Sequence, residues 1–218
     1  MLLAALLACT IDVNRGDLDE AELITIGDSL FDWNMGDGSI PEVIEESLDR
    51  PMYNAAIGGS HFLDGGDDAI PDQYISGDWS WLVLDGGGND LNDRCACGDC
   101  DELMDEILSE DGQEGAMADF VREVTDAGVR VMIMGYYGLP ETAEFGFDEC
   151  SALIPELSLR QAALAESDAM IAFADAVEVV DGTDLSMFDD DHVHPSIEGG
   201  AVVGAFLADA IRAAEAAW

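Results

Sequence analysis

Short apolar runs alternate along this chain with segments in which apolar residues recur every three or four positions. A short apolar run between turn-forming residues is typical of a buried strand, and the three-to-four spacing is typical of an amphipathic helix. Five runs predict strands, at residues 23–26, 52–56, 81–84, 129–134 and 170–173. Residues 177–180 compete with residues 170–173 for the role of the fifth strand.

Helices are predicted in the segments between and after these strands. They comprise residues 40–48, a stretch with Leu103 and Ile107 on one face, a stretch from Met117 to Val124 that Gly128 ends, residues 155–168 and residues 196–216. Residues 61–80 are polar and rich in Gly and Asp, which predicts an irregular loop. Because strand and helix alternate, we expect one α/β domain in which helices cover both faces of a parallel sheet.

The first eight residues are apolar and are followed by Cys9. This pattern resembles the end of a bacterial lipoprotein signal, in which a Leu-x-Ala-Cys box places the lipid on the cysteine. The apolar run is short and no Lys or Arg precedes it, so a short N-terminal strand or a frayed end is the alternative. We expect a lipoprotein signal over residues 1–9, a polar tether over 10–21 and the folded domain over 22–218. The protein would then be exported, either as a cell-envelope lipoprotein or as a secreted protein.

Acidic residues outnumber basic residues by 48 to 7, which gives a formal net charge of −41. A surface of this charge repels nucleic acid and anionic lipid headgroups. Nucleic acid is therefore excluded as a charge-driven partner. Membrane association is expected only through a lipid anchor at Cys9, and nothing in the chain suggests a state other than a monomer.

Four cysteines remain when Cys9 is set aside: Cys95, Cys97, Cys100 and Cys150. In an exported protein they predict two disulfides, with three connectivities open. A zinc site is the alternative, since a Cys-x-Cys-x-x-Cys motif and a distant fourth cysteine supply four thiolates. Export favours the disulfides.

Two short motifs carry the candidate chemistry. In the first, the apolar run Ile24-Thr25-Ile26 meets Gly27-Asp28-Ser29-Leu30, so a strand that ends at Gly27 would present Ser29 at the carboxyl edge of the sheet. In the second, Asp191 precedes His194 by three residues, a spacing that allows a hydrogen bond to Nδ1 in a tight turn. The alternatives are an acidic loop that contains histidines by chance, or a metal site of His192, His194 and nearby aspartates.

Together with two further motifs, these segments resemble the SGNH/GDSL hydrolase family of esterases and lipases. The four motifs, in the order of that family, are Gly27-Asp28-Ser29-Leu30, Asn54-Ala55-Ala56-Ile57-Gly58-Gly59, Gly87-Gly88-Asn89-Asp90 and Asp191-His192-Val193-His194-Pro195. The Gly-x-Ser-x-Gly elbow of α/β-hydrolases is absent, which disfavours that fold. Ser60 and His61 are adjacent, but adjacent side chains on an extended segment point apart.

The resemblance implies a role for each matching residue. Ser29 is the nucleophile, His194 the general base and Asp191 the residue that orients His194. The oxyanion hole consists of the N–H groups of Ser29 and Gly59 and the side-chain amide of Asn89, with Gly58 as the alternative to Gly59. Asp28 would hold the turn, and no metal or cofactor is implied.

The resulting expectation is a flavodoxin-like three-layer sandwich that hydrolyses carboxylic esters through an acyl-enzyme. Short acyl groups, such as O-acetyl esters of carbohydrates, are expected because no long apolar lid segment is evident, so the partner would be a small-molecule or glycan ester. The alternatives are a lysophospholipase or thioesterase of the same family, and a non-catalytic acidic lipoprotein that binds metal or glycan. The aromatic residues Phe31, Trp33, Tyr136 and Tyr137 either form a platform for the acyl group or sugar or pack in the core.

Overall fold

The computed structural model describes residues 15–63 and 69–217, so the predicted signal segment and Cys9 lie outside the described residues. The strands are β1 (Leu23–Ile26), β2 (Met52–Asn54), β3 (Trp81–Leu84), β4 (Arg130–Gly135) and β5 (Ile171–Asp175). The helices are α1 (Ser29–Asp32), α2 (Ile40–Leu48), α3 (Gly88–Cys95), α4 (Asp101–Ile107), α5 (Ala116–Asp126), α6 (Ile154–Ser167) and α7 (Ile197–Ala217). Short 3₁₀ helices cover Ile70–Gln73, Phe147–Ala152, Ala176–Glu178 and Leu185–Met187. Among the described residues, no helix is both long and apolar enough to cross a membrane.

All five strands are parallel, and their order in the sheet is β2-β1-β3-β4-β5. From β1 the chain moves outward to β2, then returns past β1 to β3 and continues in the other direction to β5. Right-handed crossovers in opposite directions place α2 on one face of the sheet and α6 on the other. Every residue of β1 and β3 is buried, as expected of central strands covered on both faces. The predicted parallel α/β sandwich is confirmed.

Helices α2 and α7 pack against each other on one face of the sheet. Helix α2 begins with a capping box: the Ser39 hydroxyl accepts the Glu42 N–H, and the Glu42 carboxylate accepts the Ser39 N–H. The close approach of α7 depends on Gly204, because a Cβ there would lie 2.6 Å from Cβ of Val43 and 2.9 Å from the carbonyl oxygen of Ile40. A larger residue would push the two helices apart.

Two strand ends differ from the sequence prediction by two residues, and side chains explain both. Strand β2 ends at Asn54 instead of residue 56, because the Asn54 side-chain oxygen accepts the N–H of Ala56 and turns the chain toward the nucleophile. The fifth strand runs to Asp175, and the competing segment 177–180 is not a strand. The Asp175 carboxylate accepts the Val177 N–H and starts a 3₁₀ turn there.

The described part of the predicted tether, residues 15–21, lies against the domain. The Arg15 guanidinium donates to the carbonyl oxygens of Asn54 and Ala56, at 3.1 and 2.8 Å, and pairs with Asp32 at 3.4 Å. The Arg15 carbonyl oxygen also accepts the Asn54 N–H at 2.8 Å. Arg15 therefore fastens the segment before β1 to the chain that follows β2.

Candidate active site

The four motifs meet at the carboxyl edge of the sheet, where the strand order reverses between β1 and β3. Open α/β sheets bind ligands at such a reversal, because the connections from adjacent strands leave in opposite directions and open a crevice. Ser29 is the first residue of α1, directly after β1, and Asn89 lies in the first turn of α3, after β3. His194 reaches the same crevice from the loop before α7.

Ser29, His194 and Asp191 form a hydrogen-bonded chain. Nε2 of His194 lies 2.9 Å from Oγ of Ser29, and Nδ1 lies 2.7 Å from Oδ2 of Asp191. Both side chains of the His–Asp pair are mostly buried, with 12% and 15% of their surface exposed. Since a charged carboxylate can only accept, the proton sits on Nδ1 and the Nε2 lone pair faces the Ser29 hydroxyl. The arrangement is able to take the serine proton.

The Asp191 carboxylate is held by three atoms of its own loop. Oδ1 accepts the N–H groups of Val193 and His194, both at 2.9 Å, while Oδ2 binds the imidazole. Burial by itself raises the pKa of Asp191, but the hydrogen bonds from His194 and Val193 outweigh it and bring the pKa below its usual value. Asp191 is therefore charged across the neutral range, as an orienting carboxylate must be.

Three residues near the reversal each have an N–H without an acceptor in the parts of the chain that the structure describes. The Ser29 N–H opens α1 and lacks a partner one turn before it. The Gly59 N–H has no acceptor among the described residues, and Gly59 has a φ of +78°, which favours glycine. The Asn89 amide donates one hydrogen to the Ser60 carbonyl oxygen at 2.9 Å, which orients the group and leaves its second hydrogen for a ligand.

The alternative donor, Gly58, is already engaged. Its N–H donates to Oδ2 of Asp32 at 3.0 Å, and Asp32 in turn pairs with Arg15. The Asn54 side chain holds the same loop against α1 by donating to the Phe31 carbonyl oxygen at 2.8 Å. The geometry therefore favours Gly59 over Gly58 as an oxyanion donor.

Below the nucleophile lies a buried polar network that the sequence did not reveal. The Asp28 carboxylate accepts the Leu30 N–H at 3.0 Å and the Tyr136 hydroxyl at 2.6 Å, and that hydroxyl accepts the Gly88 N–H. The Gln73 side chain binds the backbone of Gly27 on both sides. Its amide oxygen accepts the Gly27 N–H, and its NH₂ group donates to the Gly27 carbonyl oxygen. These contacts join the turn after β1 to the loop after β3 and so set the position of Ser29 relative to Asn89.

Asp85 is the buried carboxyl of this network with the fewest partners. Oδ1 accepts the Asp28 N–H at 2.8 Å, whereas Oδ2 has no hydrogen-bond partner among the described residues. Burial raises the pKa of Asp85 well above its usual value, and the nearby Asp28 carboxyl raises it further. A Cβ at Gly27 would lie only 1.7 Å from Oδ1, so glycine is required for this close contact.

Replacing Asp85 by asparagine is expected to stabilise the protein increasingly as the pH rises from about 4 to 7. A raised pKa means that folded Asp85 keeps a proton which the unfolded chain has lost, so wild-type stability falls with rising pH in this interval. Asparagine does not titrate and can still accept the Asp28 N–H. The free energy of unfolding should match the wild type near pH 4 and then exceed it by up to about 1.4 kcal/mol for each further pH unit over which folded Asp85 keeps its proton.

Urea unfolding of wild type and Asp85→Asn at several pH values measures this difference. Asp78→Asn is the matched control, because it removes one exposed carboxylate from a loop. It reports how much of any gain comes from lowering the net negative charge. An Asp85→Asn gain that does not change with pH, or that equals the control, would contradict the expectation.

The four aromatic residues proposed as a platform do not act together. Phe31 is fully buried in the core, and the hydroxyl of Tyr137 donates to the Val193 carbonyl oxygen beneath the histidine loop. Tyr136 serves the network under Asp28. Only Trp33 lies on the catalytic side chains: its ring stacks on that of His194, with 3.9 Å between centroids and 9° between planes.

The four cysteines of the described chain form two disulfides, Cys95–Cys100 and Cys97–Cys150. The second one links the end of the helix that carries Asn89 to the 3₁₀ segment Phe147–Ala152, so it joins two walls of the crevice. Among the described residues, no group of three or more His, Cys, Asp or Glu side chains is placed to hold a metal ion.

The other two histidines lie apart from the catalytic chain. His192 hydrogen-bonds Thr142 at 2.7 Å, and His61 lies 3.0 Å from Asp93. The Ser60 hydroxyl accepts instead from the Gln73 amide, so Ser60 and His61 do not pair with each other. Neither the metal site of His192 and His194 nor a Ser60–His61 pair is formed by the part of the chain described.

Comparison with known proteins agrees with the fold described above. A model of the GDSL-like lipase/acylhydrolase family matches residues 25–202. A search of curated protein sequences finds no significant match. Similar solved structures include the carbohydrate acetylesterase Est24 from Sinorhizobium meliloti, with 15% identity over 88% of this chain and 99% of that chain at a TM-score of 0.65.

Two further solved structures share the fold. TesA has 18% identity over 88% of this chain and 98% of its own, with a TM-score of 0.64. An aryl esterase from M. smegmatis has 14% identity over 88% of this chain and 99% of its own, with a TM-score of 0.61. At such low identity these likenesses concern the fold.

Proposed function

We propose that this protein cleaves esters of short acyl groups. The chain belongs to the GDSL-like lipase/acylhydrolase family of carboxylic ester hydrolases. Ser29, His194 and Asp191 would perform the reaction. The observation that carries the proposal is the unbroken chain from Oγ of Ser29 through His194 to Asp191, beside N–H donors that have no acceptor among the described residues.

Acylation would begin as Oγ of Ser29 attacks the ester carbonyl carbon while its proton passes to Nε2 of His194. Asp191 keeps the second imidazole proton on Nδ1 and stabilises the imidazolium. The tetrahedral intermediate collapses when the carbonyl re-forms and the C–O bond to the alcohol breaks. The leaving alcohol takes the proton from Nε2, and an acyl-Ser29 ester remains.

The negative oxygen of the tetrahedral intermediate would lie among the N–H groups of Ser29 and Gly59 and the Asn89 amide. These donors are held before substrate binds, so no reorganisation is needed as charge develops on the oxygen. Deacylation repeats the sequence with water: His194 takes a proton from the water, hydroxide attacks the acyl carbon, and Ser29 leaves with the proton returned to its Oγ.

The size of the crevice supports a short acyl group. A cavity of about 20 Å³ lies beside Ser29 and Asn89, and its apolar lining consists of Leu30, Tyr136, Tyr137, Leu139, Phe147, Ile154 and Val193. A second, mostly apolar cavity of about 260 Å³ lies behind it, and Tyr136, Tyr137, Leu139 and Ile154 line both. We propose that these shared residues act as a partition between the two cavities, so that the space next to Ser29 suits a short acyl group.

A series of p-nitrophenyl esters tests the proposal. We expect kcat/KM to be at least about tenfold higher for acetate than for octanoate, because methylenes beyond the small cavity find no apolar site. Ile154→Ala opens the partition and is expected to raise the octanoate rate while acetate hydrolysis continues. Leu159→Ala is the matched control, since Leu159 lines only the larger cavity and is 67% exposed.

Other results would select the alternatives. A preference for octanoate in the wild type would favour a lysophospholipase or thioesterase. A folded protein with no turnover and no stoichiometric labelling of Ser29 by a phosphonate ester would favour the non-catalytic acidic lipoprotein.

We also propose that the protein is exported. Two disulfides in a chain of this size support an oxidising compartment. Lipidation at Cys9 and a monomeric state remain part of this proposal. The mass of the mature N-terminal peptide from the native host would test the lipidation.

A further inference from the structure

We infer that Trp33 is a positioning residue that holds the His194 ring in its working plane, an inference that rests on the proposed function. The two rings are nearly parallel, at 9°, and their centroids are 3.9 Å apart. Trp33 follows the end of α1, the helix that begins with Ser29. One short segment therefore supplies both the nucleophile and the surface on which the base lies.

The indole is anchored on the histidine's own loop. Its Nε1–H donates to Oδ2 of Asp189 at 3.1 Å, and the Asp189 N–H donates to the His194 carbonyl oxygen at 2.8 Å. A closed circuit results, in which Trp33 contacts His194 through the ring stack and again through Asp189. The circuit ties the loop before α7 to the end of α1, across 156 positions of sequence between Trp33 and Asp189.

The stack supplies a restraint that the hydrogen bonds of the triad lack. Bonds at Nδ1 and Nε2 hold two edges of the imidazole but only weakly resist tilting about the line that joins them. Once Ser29 is acylated, its Oγ no longer carries a proton to share with Nε2, and that edge is released. A flat surface against the ring keeps Nε2 in place for the attacking water.

The indole also stabilises the positive charge that forms on His194 in each proton transfer. The imidazolium formed in acylation and deacylation is a cation above the face of a tryptophan, the aromatic ring that best stabilises a cation. The substrate need not contact Trp33 for either effect. Its loss should therefore lower kcat and leave KM nearly unchanged.

Kinetics of p-nitrophenyl acetate hydrolysis by Trp33→Leu and Trp33→Phe test this inference. Leucine keeps apolar bulk without an aromatic face, and we expect kcat to fall about 10–100-fold, the range for a misplaced catalytic group. Phenylalanine restores a stacking face and should recover most of this loss. Trp79→Leu is the matched control, because Trp79 is buried near the amino end of β3, away from the crevice.

Proton NMR gives a readout that a merely structural role would not change. The protein has 3 histidines, so the Cε1–H resonance of His194 is assignable by comparison with His194→Gln. The ring current of a stacked indole shifts this resonance upfield. The shift should disappear in Trp33→Leu, persist in part in Trp33→Phe and stay unchanged in Trp79→Leu.

Unchanged kcat in a folded Trp33→Leu would overturn the inference, as would equal losses in the leucine and phenylalanine variants. If Trp33→Leu does not fold, Asp189→Ala removes the indole anchor and keeps the ring. It should lower kcat in the same direction, and an unaltered kcat there also overturns the inference. A wild type that hydrolyses no ester rejects the proposed function itself, whereas an active wild type with an equally active Trp33→Leu rejects only the role of Trp33.

Discussion

Replacement of Ser29 by alanine is expected to abolish measurable ester hydrolysis, with kcat lower by about 10⁴–10⁶-fold. The acyl group must be carried by Oγ, and the structure places that atom 2.9 Å from the base. Alanine removes the attacking atom and leaves the surrounding backbone donors intact. Steady-state rates with p-nitrophenyl acetate measure the loss, and mass spectrometry of a phosphonate-treated sample shows whether the adduct sits on Ser29.

Ser60→Ala is the matched serine control. Ser60 is buried beside Gly59, and its hydroxyl accepts the Gln73 amide without reaching His194. Its carbonyl oxygen, which orients Asn89, is retained in alanine. We expect Ser60→Ala to keep Ser29 labelling and most of the activity. Equal rates in wild type and Ser29→Ala would remove Ser29 from the reaction.

Asp191→Asn is expected to lower kcat by about 10⁴-fold while the fold is preserved. The reason lies in the two N–H donors that hold Oδ1. Because Val193 and His194 donate to that position, the amide oxygen of asparagine must occupy it, and the NH₂ group must take the place of Oδ2. The amide then donates to Nδ1, which forces the imidazole proton onto Nε2.

A proton on Nε2 faces the Ser29 hydroxyl and prevents His194 from acting as a base. Asp190→Asn is the matched control, since it removes the same charge from the neighbouring, exposed position of the loop. It separates the tautomer effect from a change in local charge. Activity of Asp191→Asn within about tenfold of Asp190→Asn would contradict the proposed role of Asp191.

Local pattern was enough to predict the sheet and the contact between Asp191 and His194. Apolar runs such as Trp81–Leu84 report burial on both faces, because a central parallel strand has no polar face to present. The spacing between Asp191 and His194 brings the two together within one turn, so their contact depends on few other residues. The pairing of Ser29 with His194 came from the resemblance to a family, because 165 positions of sequence separate them.

Two strand ends were set by side chains only two residues away, which the apolar pattern does not report, and other contacts depended on side chains far away in the sequence. The chain alone did not show that Asn54 would end β2, that Asp175 would turn residues 177–180 away from the sheet, or that Arg15 would fasten the predicted tether. It also left the choice between Gly58 and Gly59 open. Asp32 accepts the Gly58 N–H, which favours Gly59 as the donor.

The stacked indole on His194 and the buried Asp85 carboxyl are two further features that the sequence did not predict. Each arises where segments from different parts of the chain meet at the sheet reversal, and neither leaves a periodic signal in the sequence. Hydrophobic pattern and close spacing encode local structure, because backbone geometry fixes which near neighbours share a face. Which distant side chain satisfies a given donor, or packs on a given ring, is decided only when the sheet and its crossovers bring them together.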